Sequence, residues 1–95
     1  MIKVVCKIKL KPEVNVEEYV TLAKTVVIET RKEKGCLTYT LNQDINDPSI
    51  ISMIEEWEDQ ESLNRHNNSK HVLEIVPELR KLRESTELNL YRELI

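Results

Sequence analysis

The sequence predicts an α+β fold, a ferredoxin-like β-α-β-β-α-β sandwich with helices on one face of an antiparallel four-stranded sheet. Three observations carry that expectation. Residues 2–10 alternate apolar and polar with a period of two, as a half-buried strand does. The stretch after Asn15 changes to spacings of three and four, the period of an amphipathic helix. Two more strand patterns, a second helical region and a closing alternation complete the order.

Each element has its own local signals. In the first strand Ile2, Val4, Cys6, Ile8 and Leu10 share a face, and Lys3, Lys7 and Lys9 occupy the other with Val5. Lys11-Pro12-Glu13 ends it, because proline cannot donate to a ladder. Asn15 can cap the first helix, with Glu18 at the capping-box position, and Tyr19, Leu22, Ala23 and Val26 form its apolar stripe over about five turns. Arg31, Lys32 and Lys34 suit the negative end of the helix, and Gly35 stands where a C′ residue of positive φ is wanted. The second strand sets Leu37, Tyr39 and Leu41 against Cys36, Thr38, Thr40 and Asn42. Asn46-Asp47-Pro48-Ser49 reads as a turn.

The third strand, Ile50 to Glu58, is apolar on both faces: Ile51, Met53 and Trp57 on one, Ile50 and Ile54 on the other. A strand wet on one side does not read this way. Asp59 can cap a short helix carrying Leu63 and His66, Asn67-Asn68 breaks it, and Ser69 can cap the next. There Val72, Ile75, Val76, Leu79 and Leu82 make one stripe, and Pro77 predicts a kink or restart. A final strand is expected over roughly 86–94, with Leu88 and Leu90 alternating with Asn89 and Tyr91. Helices cover one face of such a sheet; Val5, Ile50 and Ile54 on the other ask for a second copy, and a two-fold homodimer is the commonest closed solution.

Composition bounds the function. Ninety-five residues, 1–95, are expected to form one domain. A net charge of −3 argues against a nucleic-acid partner. No window is apolar enough to span a membrane and no signal peptide pattern opens the chain, so a cytoplasmic protein is expected. Cys6 and Cys36 lie far apart in strand patterns and read as buried thiols, neither paired nor nucleophilic. One glycine cannot build a phosphate loop or a dinucleotide fingerprint, so neither nucleotide nor flavin is expected through such loops.

Chemistry concentrates between Ile50 and His71. Trp57 is a core residue on the plain reading and a pocket wall on the functional one. Glu55 shares its face, either as a paired core carboxylate or as a base. His66 shares a helix face with Leu63, so it is a packing histidine or a group titrating near neutrality. His71 is expected at the surface, and Tyr39 is a core aromatic or a pocket hydroxyl. The two histidines stand five apart across a break, which is not metal-ligand spacing, so no metal site is expected.

The chain resembles the antibiotic biosynthesis monooxygenase family, small dimeric α+β barrel proteins that include quinol monooxygenases. The stretches carrying the likeness are MIKVVCKIKLKP, KEKGCLTYTL and MIEEWEDQESLNRHNNSKH. In the last, Glu and Trp end the third strand, His66 follows nine residues after Trp57, then Ser69 and His71. The resemblance implies a pocket between sheet and helices, used by some members to oxygenate a small phenol or quinol with O₂ and without metal or flavin. It implies His66 and Trp57 as the catalytic residues, and Tyr39, Met53, Glu55 and His71 as the substrate-binding ones. The haem-degrading branch also uses an Asn in the first strand, where this chain has Ile8. Two other functions fit the scaffold: an isomerase or lyase of a small oxygenated metabolite using His66 for proton transfer, and a non-catalytic dimeric ligand binder.

Overall fold

The computed structural model describes all residues, Met1–Ile95. Strand β1 (Ile2–Leu10) leads into helix α1 (Val16–Arg31), strands β2 (Cys36–Gln43) and β3 (Ile50–Trp57), helices α2 (Gln60–Asn67) and α3 (Lys70–Arg80), and strand β4 (Arg83–Arg92). The sheet order is β2-β3-β1-β4 and every pairing is antiparallel. This is the expected ferredoxin-like α+β fold, with the second helical region divided into α2 and α3. The extents, 37 × 31 × 17 Å, are those of one sheet and one helix layer.

The core lies between these layers. Val4, Ile8 and Leu10 of β1, Tyr39 of β2, and Ile51, Met53 and Trp57 of β3 meet Tyr19, Ala23 and Val26 of α1, Leu63 of α2 and Leu79 of α3. Asn15 Oδ1 accepts from the Glu18 N–H at 2.9 Å, which starts α1. Asp59 Oδ1 accepts from the Ser62 N–H at 2.8 Å, which starts α2. With Trp57 the last residue of β3 and Asp59 already the cap, the chain turns back at once. That brings Leu63 and His66, both buried, over the end of the sheet.

Several local expectations are corrected. Leu22 is exposed, and Thr30 completes the buried stripe with Tyr19, Ala23 and Val26. Gly35 is not the C′ residue of α1, whose C-cap is Lys32. It sits in the following turn, closed by the Cys36 N–H to Glu33 C=O bond at 3.2 Å, with φ +85° where a type II turn needs it. Leu37 does not share the Tyr39 face: the β2–β3 register shifts between Cys36 and Thr38, and Leu37 is left exposed. Ser69 makes no side-chain cap, because its hydroxyl donates to the His66 carbonyl at 2.7 Å. Helix α3 runs through Pro77 without a restart. Strand β4 begins at Arg83, earlier than residue 86, and almost all of it is exposed.

Gly35 gives the fold its most exacting contact. Its carbonyl accepts from the Glu58 N–H at 2.8 Å, which holds the α1–β2 turn against the start of α2. A Cβ there would meet the Ser62 hydroxyl. Gly35→Ala therefore combines left-handed backbone strain with overpacking, and should lower stability by about 2–4 kcal/mol in urea unfolding. A loss below ~0.5 kcal/mol would show that the turn shifts freely and does not hold α2.

Candidate functional site

Three short-range rules converge on one end of the sheet. The period of a strand puts Glu55 and Trp57 on the same inward face, and the Trp57 indole N–H donates to Glu55 Oε1 at 2.9 Å. The cap at Asp59 sets His66 down beside them, its ring 4.7 Å from the Trp57 ring and 5.3 Å from the Tyr39 ring, centroid to centroid. The turn at Gly35 brings in Glu33, whose Oε2 lies 2.8 Å from His66 Nδ1 and 2.9 Å from His71 Nε2. His71 Nε2 also lies 3.1 Å from Thr30 Oγ1 and 3.3 Å from Ser69 Oγ.

The tautomers follow from this geometry. An ionised carboxylate only accepts, so with both rings neutral Nδ1 of His66 and Nε2 of His71 carry the protons. Nε2 of His66 is then a bare lone pair. No fully buried side-chain nitrogen or oxygen lacks a partner, yet His66 Nε2 and Glu55 Oε2 bond to nothing in the chain. Both atoms are thus left to solvent, and His66 and Glu55 both line a cavity of about 420 Å³.

This cavity lies between the sheet and helices α1 and α3. Ile8, Tyr39 and Met53 form its floor, Ala23, Val26, Val72 and Val76 its roof. Arg80, Arg83 and the β4 residues Thr86 and Leu88 line it as well. The Arg83 guanidinium donates twice to the Tyr19 hydroxyl, at 2.9 and 3.1 Å. Burial pushes the Cys6 thiol above its ordinary range, with Arg83 opposing, so Cys6 lines the cavity as an unreactive group. Burial likewise raises the Tyr39 phenol, helped by the Glu55 carboxyl, so its hydroxyl keeps its proton.

Of the residues singled out in the sequence, Tyr39, Met53, Glu55 and His66 meet at the cavity. Trp57 does not line it: fully buried behind His66, it forms no slot wall. Its indole supports the imidazole and partners Glu55. His71 is not a surface residue and does not line the cavity; it is half-buried behind His66, against Glu33. Sequence spacing also missed that Glu33, His66 and His71 gather in one cluster. Arg83 and Tyr19 were missed too. The one available signal for Glu33 was an acid alone among Arg31, Lys32 and Lys34, in a turn that reads as a basic helix end.

Glu55 makes the site sensitive to pH. Burial raises its pKa above the ordinary 4.5, opposed by the Trp57 N–H and by His66, with Glu33 adding to the rise. The folded chain thus holds this proton more tightly than the unfolded chain. Its contribution to stability is full below pH 4.5 and declines as pH rises through the folded value. Glu55→Gln keeps an acceptor for the indole and removes the charge. Its melting temperature at neutral pH should equal or exceed that of the wild type, with a flatter decline above pH 4.5. A lower melting temperature with the wild-type pH slope would contradict that assignment.

The comparisons agree with this architecture. A crystal structure of a conserved protein from Methanosarcina mazei Go1 superposes with a TM-score of 0.92 at 42% identity, covering 98% of this chain and 92% of that one. A crystal structure of an antibiotic biosynthesis monooxygenase superposes with a TM-score of 0.90 at 30% identity, covering all of both chains. YcnE of Bacillus subtilis (strain 168), named only provisionally as a monooxygenase, is 30% identical over 86% of this chain and 85% of its own. The family model for antibiotic biosynthesis monooxygenases matches residues 1–78, and the chain belongs to that family.

Proposed function

We propose that the protein is a cofactor-independent monooxygenase that oxidises a small phenol or hydroquinone with O₂ in the cavity beneath α1 and α3. The observation that supports this best is His66. Glu33 fixes its Nδ1–H at 2.8 Å, its Nε2 has no partner in the chain, and the residue lines a mostly apolar cavity of about 420 Å³. That volume suits a one- or two-ring aromatic. A histidine so held is a general base with its tautomer already chosen.

In this mechanism the substrate hydroxyl gives its proton to His66 Nε2. The resulting anion passes one electron to O₂, and the aryloxyl radical and superoxide combine at a ring carbon. The peroxide then loses water, with the ring hydrogen leaving as a proton. One oxygen atom ends in the quinone and the other in water, so a phenol and O₂ become a quinone and water. The chain contributes a mostly apolar slot, the base, and Arg83 as a cation toward the anion. Glu55, held toward its protonated form, can return a proton to the leaving oxygen.

The pairing of His66 with a proton-holding carboxyl favours one alternative, an isomerase or lyase that moves a proton between two carbons or oxygens without O₂. Oxygen uptake separates the two.

Dimerisation is part of the same proposal. Ile54 is 40% exposed on the helix-free face, and on the other face of the sheet Leu88, which lines the cavity, and Leu90 of β4 are 57% and 53% exposed. A second copy of the chain, in a reducing cytoplasm where Cys6 and Cys36 stay free, would cover the helix-free face that carries Ile54.

Two measurements test these statements. An oxygen electrode run with a panel of phenols and hydroquinones should show uptake with the purified protein, and His66→Ala should cut turnover roughly 10²-fold or more. Circular dichroism must show that variant folded; full activity in it would remove His66 as the base, and product formed anaerobically would favour the isomerase. Sedimentation at micromolar concentration should give twice the 11.2 kDa chain mass, through an interface of over ~2,000 Å². Only the 11.2 kDa species would end the dimer proposal.

A further inference from the structure

We propose that Glu33, His66 and His71 form a binding site for one divalent transition-metal ion of the zinc class, and that the bound ion reverses the proton arrangement of His66. The three side chains come from three places in the chain: the turn after α1, the last turn of α2 and the first turn of α3. Their ligand atoms, His66 Nδ1, His71 Nε2 and a Glu33 carboxylate oxygen, all lie within 4.8 Å of one another. The side chains are 5%, 17% and 16% exposed, so an ion could enter from the surface yet sit mostly out of water.

The donor set selects the class of ion. Two imidazoles and a carboxylate suit zinc and its neighbours, and do not suit magnesium or calcium, which prefer oxygen alone. In the free protein Oε2 stands 2.8 and 2.9 Å from the two ring nitrogens, the spacing of N–H···O bonds. Ligands of a tetrahedral zinc, at bonds of ~2.0–2.1 Å, stand about 3.3 Å apart. Exchanging two protons for one ion thus lengthens the two Glu33 edges by about half an ångström and sets the two imidazole nitrogens, within 4.8 Å of each other in the free protein, at the same spacing. Torsions of the Glu33 and His71 side chains, both only partly buried, can supply that. Thr30 Oγ1 and Ser69 Oγ lie 3.1 and 3.3 Å from His71 Nε2.

The second half of the proposal rests on the function proposed above. A metal on Nδ1 displaces its proton, so neutral His66 must carry hydrogen on Nε2, the nitrogen that opens on the cavity. A base there becomes a donor. The same ion would therefore hold α2 and α3 together and silence His66 toward a phenol.

The test needs no substrate. Apoprotein stripped with chelator is dialysed against ZnCl₂ and its metal counted by mass spectrometry, beside His71→Ala and Glu33→Gln with folding checked by circular dichroism. The expected result is one zinc per wild-type chain, a higher melting temperature with zinc, and affinity lowered roughly 10- to 100-fold or more in both variants. Long-range ¹H–¹⁵N spectra of the wild type should show the His66 proton moving from Nδ1 to Nε2 on adding zinc. No saturable binding at one ion per chain, or binding undiminished in both variants, would overturn the site. Binding with the His66 proton still on Nδ1 would overturn the switch. Neither result bears on oxygen uptake by the metal-free protein, so the two proposals fail separately.

Discussion

One carboxylate oxygen joins the parts of the site. Oε2 of Glu33 accepts from His66 of α2 and His71 of α3, and Glu33 itself stands in the turn that ends α1. Three helices that a polar chain could leave loosely stacked are thereby pinned at one point above the sheet. The contact is only partly exposed, so water competes with it less than with a surface pair. Its geometry depends on Gly35 and on the Asp59 cap, which together decide how closely the turn and α2 approach. Chemistry and architecture share these residues, and a change at the turn is felt at the imidazole.

The cavity is a consequence of how α3 is seated. Of its apolar stripe only Leu79 is fully buried; Val72, Ile75 and Val76 are half-buried. A helix pressed fully onto the sheet would fill this space and gain about 25 cal/mol for each Å² of apolar surface removed from water. Instead Arg83 and Tyr19 hold one side of the opening, and His66, backed by Trp57, lies at the other. Trp57, fully buried, is the anchor of that stack, and deleting such a side chain typically costs about 3–5 kcal/mol. The indole thus acts on the site from behind, through its N–H to Glu55 and its face against His66.

The layout of the fold was legible because each element announced itself locally. Alternation in residues 2–10, the cap at Asn15 and the cap at Asp59 are short-range signals that tertiary packing left intact. What failed was also local in cause. A one-residue bulge turned Leu37 outward, and a turn moved Gly35 away from the helix end. At the site, Glu55, Met53, Tyr39 and His66 were legible from strand period and helix spacing. Glu33 was not, because its role depends on residues more than 30 positions later in the chain. For the same reason His71 read as a surface residue: spacing along the chain cannot show a carboxylate arriving from another turn.

The central claim is that Glu33 presents His66 to the cavity with a free Nε2. The tautomer of His66 in the metal-free wild-type protein tests it most directly. Long-range ¹H–¹⁵N spectra on the alkaline side of neutrality, assigned with His71→Ala, should place the proton on Nδ1 and leave Nε2 as the bare nitrogen. A proton found on Nε2 under those conditions would contradict the account, since His66 would then face the cavity as a donor and could not accept a substrate proton there.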